Sequence, residues 1–405
     1  MSGPRALGTV EWLAGIRPAP RVATLAALRD PADGSLIDRA LVLSFPGPAS
    51  FTGEDVAELH VHGGPAVVDA LLRALGRLEG LRLAEPGEFS RRAFDNGKLD
   101  LSQAEGLSDL IAAQTDAQRR LALAQAGGAL RDRAEDWRTT IVRLLAEVEA
   151  EIDFSDEDDV DVAFDPSAVE ALRADIARVL ADNHIGERIR DGLTVAVVGE
   201  PNVGKSSLIN ILARRDVAIV SERAGTTRDV IEVALDLAGV PVVLVDTAGL
   251  RETDDPVEAE GIRRARDRAA AADLVLHVAD RIPDAVLGQL VINKVDLGLA
   301  PAGSHDDVIY VSAKTGAGID ALEQWLAEWA ASLLRTGETP IVTRERQRRA
   351  LEAAAAYLAL ARDEVDAVLR AEALRMAARE LGRVTGRVDV EEVLGEIFGR
   401  FCIGK

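Results

Sequence analysis

The chain has 405 residues, of which 48% are apolar, 28% charged and 3% aromatic, and its formal net charge is -21. The length predicts about two to four domains with ample core, and the apolar content excludes wholesale disorder. One cysteine argues against a disulfide framework, and no apolar run approaches the roughly 20 residues needed to span a bilayer. We therefore expect a cytoplasmic protein with no membrane partner, whose net charge opposes nonspecific binding of nucleic acid.

The first region, residues 1–96, mixes short strand patterns with helices and is predicted to be an α+β domain. Its clearest signal is the alternating run Val56–His62, followed by a Gly-Gly-Pro turn and a helix through Leu78. His60 and His62 lie two residues apart, but no third ligand accompanies them in the sequence. The pair therefore does not predict a metal site.

Long helices are predicted next, from Leu99 to about Arg190, because Ala, Leu, Arg and Glu recur with helical spacing. An interruption is predicted near Asp153–Pro166. The helical pattern returns over Thr343–Ile397, with an interruption near Gly382–Asp389. These two helical stretches flank a region of different character.

Between them, Leu193–Leu334 alternates strand and helix patterns, which predicts a parallel sheet covered by helices on both faces. The apolar run Leu193–Val198 leads into Gly199–Ser207, which reads GEPNVGKSS and precedes a helical pattern. This is the context of a phosphate-binding loop, where glycines let backbone N–H groups face the phosphates. Lys205 would reach the outer phosphates, and Ser206 offers a hydroxyl to Mg²⁺.

Later motifs follow in the order of a guanine-nucleotide switch. They are GTTRD at Gly225–Asp229, DTAG at Asp246–Gly249, NKVD at Asn293–Asp296 and SAK at Ser312–Lys314. Asp246 is predicted to hold Mg²⁺ through water, and the Gly249 N–H to sense a third phosphate. Asp296 is predicted to select guanine, because a carboxylate accepts two hydrogen bonds from the guanine edge and finds no such donor pair on adenine.

The base would be braced by Asn293 and by the stem of Lys294, while the Ala313 N–H would donate to the guanine oxygen. Lysine usage supports this assignment, because arginine carries almost all the positive charge. The lysines are Lys98, Lys205, Lys294, Lys314 and Lys405, and three of these five lie in the nucleotide motifs. A compact ammonium is not interchangeable with a guanidinium, so Lys98 and Lys405 become candidate functional residues.

The hydrolytic apparatus departs from small Ras-like switches, which place Gln after the DxxG glycine. Leu250 stands there, so hydrolysis must use another arrangement. The candidates in the same segment are Glu252, Asp254, Asp255, Glu258 and Glu260. Asn202 in the phosphate loop has two open interpretations: a turn former, or an oxygen ligand for a monovalent cation.

The connection between the strands predicted at Asp273–Ala279 and Gln289–Ile292 is short. About nine residues are available, whereas a crossover between parallel neighbours usually needs about a dozen or more. We expect this connection to be abbreviated.

The positive patches that could bind RNA are Arg91 with Arg92, Arg119 with Arg120, Arg131 with Arg133, and Arg344 to Arg349. Each patch has the pattern of a solvated helix face, since aromatic residues for base stacking are scarce.

At this point the chain resembles the MnmE family of tRNA-modification GTPases, also called TrmE. The resemblance runs through nearly the whole chain: Phe51–Pro65, Ala84–Ile111, Glu149–Asp158, the nucleotide motifs, and the terminal FCIGK at Phe401–Lys405. It implies an α/β plus all-α protein. A P-loop GTPase domain at 191–334 would be inserted into a discontinuous helical domain at 97–190 and 335–405, preceded by a folate-binding-like α+β domain at 1–96.

By this resemblance, hydrolysis occurs when two nucleotide domains meet around K⁺, which replaces an arginine finger. The implied K⁺ ligands are Asn202, Ser221, Arg223 and Thr226. Thr227 would bind Mg²⁺ beside Ser206, and Glu258 would act on water, so the implied catalytic residues are Glu258, Lys205 and Thr227. The motifs and the resemblance together imply the following GTP contacts: Asn202, Val203, Gly204, Lys205, Ser206, Ser207, Ser221, Glu222, Arg223, Ala224, Gly225, Thr226, Thr227, Asp246, Thr247, Ala248, Gly249, Asn293, Lys294, Asp296, Ser312, Ala313 and Lys314.

The resemblance also implies a one-carbon reaction on tRNA. Glu58, Lys98 and Lys405 match positions that contact a tetrahydrofolate derivative, either the 5,10-methylene or the 5-formyl form. Family members act with the flavin-dependent protein MnmG to place an aminomethyl or carboxymethylaminomethyl group on carbon 5 of the wobble uridine. They form homodimers through the N-terminal domain and, transiently, through the nucleotide domains. The role of Cys402, the tRNAs used, and ammonium against glycine as co-substrate stay open.

The chain departs from the family pattern at its start. Met1–Leu7 aligns with a point inside that pattern, after a first strand and an arginine used for folate. Either the true start lies upstream, which we favour, or the folate site is incomplete. Two other functions also stay open: an Era-like ribosome-assembly GTPase, and an interaction scaffold that binds GTP without modifying tRNA. FCIGK and the folate-like segment argue against the Era-like alternative.

Overall fold

The computed structural model describes residues 1–153, 164–182, 184–215, 217–219, 232–246, 270, 272–298, 301–334, 339–387 and 397. The chain divides into two compact units. The first comprises Met1–Ser108, Arg131–Arg138 and Ala378–Lys405, and the second comprises Asp109–Leu130 and Thr139–Ala377. The three-domain boundaries given above stay a prediction.

The first unit contains a three-stranded antiparallel sheet in the order β1-β2-β3. Its strands are β1 (Thr24–Arg29), β2 (Leu36–Phe45) and β3 (Val56–His60), and helices α1 (Ala6–Ala14) and α2 (Pro65–Gly76) belong to the same unit. Buried Val10, Leu28 and Leu71 join helices and sheet in one core. Strand β3 ends two residues before the predicted end, because the N–H of His62 donates to the Asp38 carboxylate at 2.8 Å instead of to a strand.

The first residues of the chain lie against β3. Ser2 forms an antiparallel bridge with Val56, and the Met1 ammonium donates to the Ala57 carbonyl at 2.8 Å. The Gly3 N–H donates to the Asp55 carbonyl at 2.9 Å. These bonds give the segment an ordered place at the sheet.

The predicted helical stretch after the sheet is confirmed. It contains α3 (Glu88–Asp95), α4 (Leu101–Ala112), α5 (Asp116–Ala126), α6 (Ala129–Asp153), α7 (Pro166–Leu180) and α8 (Ile185–Asp191). Helix α5 begins with a capping box, in which Thr115 and Gln118 satisfy each other's free N–H groups. Helix α7 begins at Pro166 after the N-cap Asp165, so α6 and α7 end and begin at the limits of the predicted interruption.

The second unit contains a seven-stranded sheet in the order β5-β6-β4-β7-β8-β10-β9. Its strands are β4 (Leu193–Val198), β5 (Glu232–Leu237), β6 (Val240–Asp246), β7 (Leu274–Ala279), β8 (Gln289–Ile292), β9 (Gly303–His305) and β10 (Val308–Tyr310). Strand β4 pairs in parallel with β6 and β7, and β8 pairs in parallel with β7 and β10. Only β5 and β9 run antiparallel, at the two edges.

Helices α9 (Lys205–Leu212) and α10 (Ile319–Leu333) pack on one face of this sheet, where Leu208 and Leu326 are buried. Alternate residues of β7, β8 and β10 face the other way, and Leu290 and Ile292 form a smaller cluster there. The predicted covering by helices is therefore confirmed for the face that carries α9 and α10. Covering of the other face stays a prediction.

The short connection between β7 and β8 is confirmed. Residues 280–288 contain neither helix nor strand. The N–H of Leu287 donates to Nδ1 of His277 at 3.2 Å, which ties the end of the connection to β7.

Two long helices follow, α11 (Glu345–Asp363) and α12 (Ala367–Thr385). Helix α11 and the first part of α12 belong to the second unit, whereas the end of α12, from Ala378, belongs to the first unit. Helix α12 ends inside the interruption predicted near Gly382–Asp389. The guanidinium of Arg348, which is 3% exposed, binds Glu187 and Asp182 and so fixes α8 against α11. No described helix combines the length and the apolar character that crossing a bilayer requires.

Helix α5 is joined to the sheet at the turn between β5 and β6. The N–H of Ala117 donates to the Gly239 carbonyl at 3.0 Å. Next to this bond, Leu121 packs with Ile185 and Ile189 of α8 in a small buried cluster. The chain continues from α8 into β4, which leads to the site described next.

Candidate nucleotide-binding site

The loop between β4 and α9 has the shape that the GxxxxGK[ST] pattern predicts. Gly199 has φ +146°, and a Cβ there would lie 2.0 Å from the Val278 carbonyl oxygen. Gly204 has φ +100°, and its Cβ would lie 2.3 Å from Nδ2 of Asn293. Both positions therefore exclude every residue except glycine, for conformation and for space. The result is a loop whose backbone lies close to its neighbours and opens the N-terminus of α9.

Lys205 is the first residue of α9 and is 6% exposed. Its Nζ donates to the carbonyls of Gly199 at 2.8 Å and Glu200 at 2.9 Å. The ammonium is thus held inside the phosphate loop by oxygens of the loop itself. In the predicted role, the ammonium would exchange these carbonyls for phosphate oxygens, which are charged and form stronger hydrogen bonds.

Ser206 and Asp246 come together from α9 and from the end of β6. The Ser206 hydroxyl lies 2.8 Å from Oδ2 of Asp246, whose side chain is buried. A hydroxyl and a carboxylate are hard oxygen donors, which suit Mg²⁺. This pair therefore fits the predicted metal position, and the third predicted ligand, Thr227, lies outside the described residues.

The base side of the site is built around Asn293, which is 2% exposed. Its Nδ2 donates to the Val203 carbonyl at 2.9 Å, and its Oδ1 accepts from the Ala313 N–H at 3.0 Å. One side chain thus joins the phosphate loop to the SAK motif. The bond that was predicted from the Ala313 N–H to guanine stays a prediction.

Asp296 lies in a short 3-10 turn, Val295–Leu297, beside the SAK motif. Its Oδ1 accepts a hydrogen bond from the buried Ser312 hydroxyl at 2.6 Å, and the residue is exposed. Lys294 precedes this turn at φ +67°, and its Nζ lies 3.3 Å from Oδ2 of Asp280. The Asp296 carboxylate is therefore oriented by the buried Ser312 hydroxyl and remains accessible to solvent, as a group that hydrogen-bonds to the edge of a base must be.

Some of the remaining predicted site residues lie within the described ranges, and others lie outside them. Asn202 is exposed with φ +65°, Val203 is buried, and Ser207 and Lys314 are exposed. The predicted residues outside the described ranges are Ser221, Glu222, Arg223, Ala224, Gly225, Thr226, Thr227, Thr247, Ala248, Gly249, Glu258 and Lys405, and so are the further candidates Glu252, Asp254, Asp255, Glu260 and Cys402. Sequence reasoning missed Asp280, because no motif includes it.

The predicted folate residues lie in the first unit. Glu58 pairs with His60 at 3.0 Å, and Cε of Lys98 lies close to Gly53, 3.4 Å from where a Cβ would stand. Among the described residues, no hydrogen bond or ion pair joins Glu58 to Lys98. Asn96 fixes the loop beside Lys98 by donating to the Thr52 carbonyl at 2.7 Å.

An ion-pair network lies beside this loop. Glu88 binds Arg82 and Arg92, and Arg92 also binds Glu54 at 2.9 Å. The hydrogen bonds from Arg82, with a further contribution from Arg92, lower the pKa of Glu88 to about 2. Glu88 lies in the first turn of α3, so its ion pairs with Arg82 and Arg92 hold the start of this helix in place.

The predicted basic patches are largely neutralised by neighbouring acids. Asp116 binds both Arg119 and Arg120, Asp132 binds Arg131, and Asp109 binds Arg344.

A separate cluster is formed by His184, Glu187 and Glu345, whose possible metal-binding atoms lie within 4.8 Å of one another. Its two carboxylates already bind Arg348 and Arg349, so the cluster is an ion-pair network and not a metal site.

Comparison with known proteins identifies two matching family models. The family model of the MnmE helical domain matches residues 101–402, and that of the GTP-binding protein TrmE N-terminus matches residues 1–98. A tRNA modification GTPase MnmE of Rhodopseudomonas palustris is 55% identical, covering 100% of this chain and 95% of that protein. The protein of that name from Parvibaculum lavamentivorans is 54% identical with the same coverage. Among solved structures, the cytosolic domain of the T. maritima FeoB iron transporter matches 48% of this chain and 98% of its own, at 16% identity and a TM-score of 0.25.

Proposed function

Because the chain belongs to the MnmE family and is a GTPase of tRNA modification, we propose that it is activated by K⁺ and acts with the flavin-dependent protein MnmG. Together they would modify carbon 5 of the wobble uridine of tRNA, with a one-carbon unit from a tetrahydrofolate derivative. We place the protein in the cytoplasm, as a homodimer with the three-domain arrangement given above.

The observation that carries the GTPase part of this proposal is the convergence of the nucleotide motifs in one unit. Lys205 lies inside the phosphate loop, Ser206 contacts Asp246, and Asn293 joins that loop to the SAK motif. Lys205 would bind the outer phosphates and Asp296 would read guanine. Mg²⁺, when bound by Ser206 and Asp246, neutralises phosphate charge.

Activation by K⁺ is supported by the geometry of Asn202. Its left-handed backbone places an amide side chain at an exposed position of the phosphate loop, where its oxygen would be available to a monovalent cation. We expect GTP hydrolysis at least about tenfold faster in K⁺ than in Na⁺, measured as steady-state phosphate release.

The matched variant is Asn202→Gly, which keeps the left-handed backbone and removes the side-chain oxygen. It should lose the K⁺ response and keep its affinity for GDP. Equal turnover of the wild-type protein in both salts, or turnover in neither, would contradict the proposed activation.

The one-carbon role is supported by the order of the loop around Lys98, which Asn96 and the Arg92 network hold. We expect 5-formyltetrahydrofolate to bind the protein by calorimetry, and Lys98→Ala to weaken that binding about tenfold, as the loss of a charged hydrogen bond does.

The chain as given and a form extended at the N-terminus should be titrated side by side. Binding by neither form would remove the folate part and leave the GTPase part intact. Binding of MnmG is measured separately, by size-exclusion chromatography of the mixed proteins.

A further inference from the structure

Asp280 follows the last residue of β7 and lies beside the base-binding part of the nucleotide site. Its Oδ2 accepts a hydrogen bond from Nζ of Lys294 at 3.3 Å. The two side chains are 43% and 35% exposed, respectively, so the ion pair lies at the surface of the site. At that exposure, solvent weakens the attraction but does not abolish it.

The backbone fixes where Asp280 stands. The register of β7 and β8 pairs Ala279 with Ile292, so Asp280 and Asn293 are the first residues beyond the paired strands. The Asn293 N–H closes this end by donating to the Ala279 carbonyl at 2.7 Å. The carboxylate is therefore presented to the NKVD motif by a strand end and not by a free loop.

Lys294 has a fixed backbone but a long side chain. Its φ of +67° and the bond from the Leu297 N–H to its carbonyl, at 3.0 Å, hold the main chain in the turn. Among the described residues, Asp280 is the only side chain that forms a hydrogen bond or ion pair with the ammonium. The direction of the stem, which carries several rotatable bonds, is thus set by this ion pair.

We propose that Asp280 is a positioning residue for guanine-nucleotide binding, which holds the ammonium of Lys294 so that the stem stays extended along the base. A stem that is already extended loses less rotamer freedom when the nucleotide binds. The role rests on the guanine-nucleotide site alone and is independent of K⁺, folate and MnmG.

The test is a double-mutant cycle read by calorimetry with GDP and with inosine diphosphate (IDP). Asp280→Asn should raise the Kd for GDP about threefold, the scale of a partly exposed ion pair. Lys294→Met keeps an apolar stem, and adding Asp280→Asn to it should change the Kd no further. The threefold change should be equal for IDP, because the stem contacts both rings alike.

The measurements with IDP distinguish a loss of the Lys294 position from a distortion of the turn that carries Asp296. IDP lacks the 2-amino group that Asp296 would bind, so a displaced Asp296 changes the ratio of the two Kd values while a released Lys294 does not. Asp284→Asn is the matched control, since Asp284 is exposed in the same connection and makes no hydrogen bond or ion pair among the described residues. Its Kd should equal that of the wild type.

Each other outcome overturns the proposal. An unchanged Kd in Asp280→Asn, an equal threefold rise in the Lys294→Met background, or a changed ratio of GDP to IDP affinity would each do so. A wild-type protein that binds no GDP would overturn the nucleotide site itself, and this role with it, whereas a missing K⁺ response would leave the role untouched.

Discussion

The phosphate side and the base side of the site use their polar groups differently. On the phosphate side, Lys205 donates to two carbonyls of its own loop, and Ser206 contacts Asp246 directly. On the base side, Ser312 and Asn293 use their hydrogen bonds to orient Asp296 and to join the two loops. Ligand binding would replace the two bonds of Lys205 and can keep the bonds of the base side.

The difference shows where affinity and where selectivity come from. Exchange of neutral carbonyls for phosphate oxygens would gain charge-assisted bonds, so we expect the phosphate side to supply affinity whatever the base. On the base side, Ser312 already orients Asp296, so a base other than guanine would leave this carboxylate without its hydrogen-bond partners. Substitutions on the two sides should therefore separate these properties.

The largest effect is expected for Lys205→Ala. Loss of the ammonium removes the charge that would meet the outer phosphates, so GTP hydrolysis should fall at least about a hundredfold. Phosphate release at saturating GTP measures it. Arg214→Ala, an exposed arginine just beyond the end of α9, serves as control and should retain full activity. Activity within threefold of wild type in Lys205→Ala would place the phosphates elsewhere.

A second substitution, Asp296→Asn, should change selectivity and not hydrolytic chemistry. An amide offers a donor where guanine needs an acceptor, so GDP affinity should fall about a hundredfold. Xanthosine diphosphate, which carries an oxygen at that position, should then bind better than GDP. Calorimetry with both nucleotides checks this, and retained preference for GDP would show that Asp296 does not read the base.

The smallest effect tests the link between the sides. Asn293→Ala leaves the Val203 carbonyl and the Ala313 N–H without their partner. Hydrogen exchange at the Ala313 amide should accelerate about tenfold, and GDP affinity should fall by a similar factor. The exposed Asn210 on α9 provides the control substitution, Asn210→Ala. Unchanged exchange at Ala313 would mean that the two sides are ordered independently.

Sequence reasoning succeeded where a local pattern determines structure. The run Leu193–Val198 predicted β4, and the glycines predicted the loop after it, because both depend on neighbours in the chain. The edge strand Gly303–His305 has no alternating pattern and exists only by pairing with β10, so it was missed. The bond between Asp280 and Lys294 was missed for the same reason, since it depends on the register of β7 and β8.

Strand β6 connects two places that the chain keeps apart. One end is Asp246, in contact with Ser206, and the turn at its other end contains Gly239, bonded to Ala117 of α5. A strand of seven residues spans about 23 Å and does not stretch. A nucleotide-dependent movement of β6 at Asp246 would therefore reach the first turn of α5 through the bond between Gly239 and Ala117.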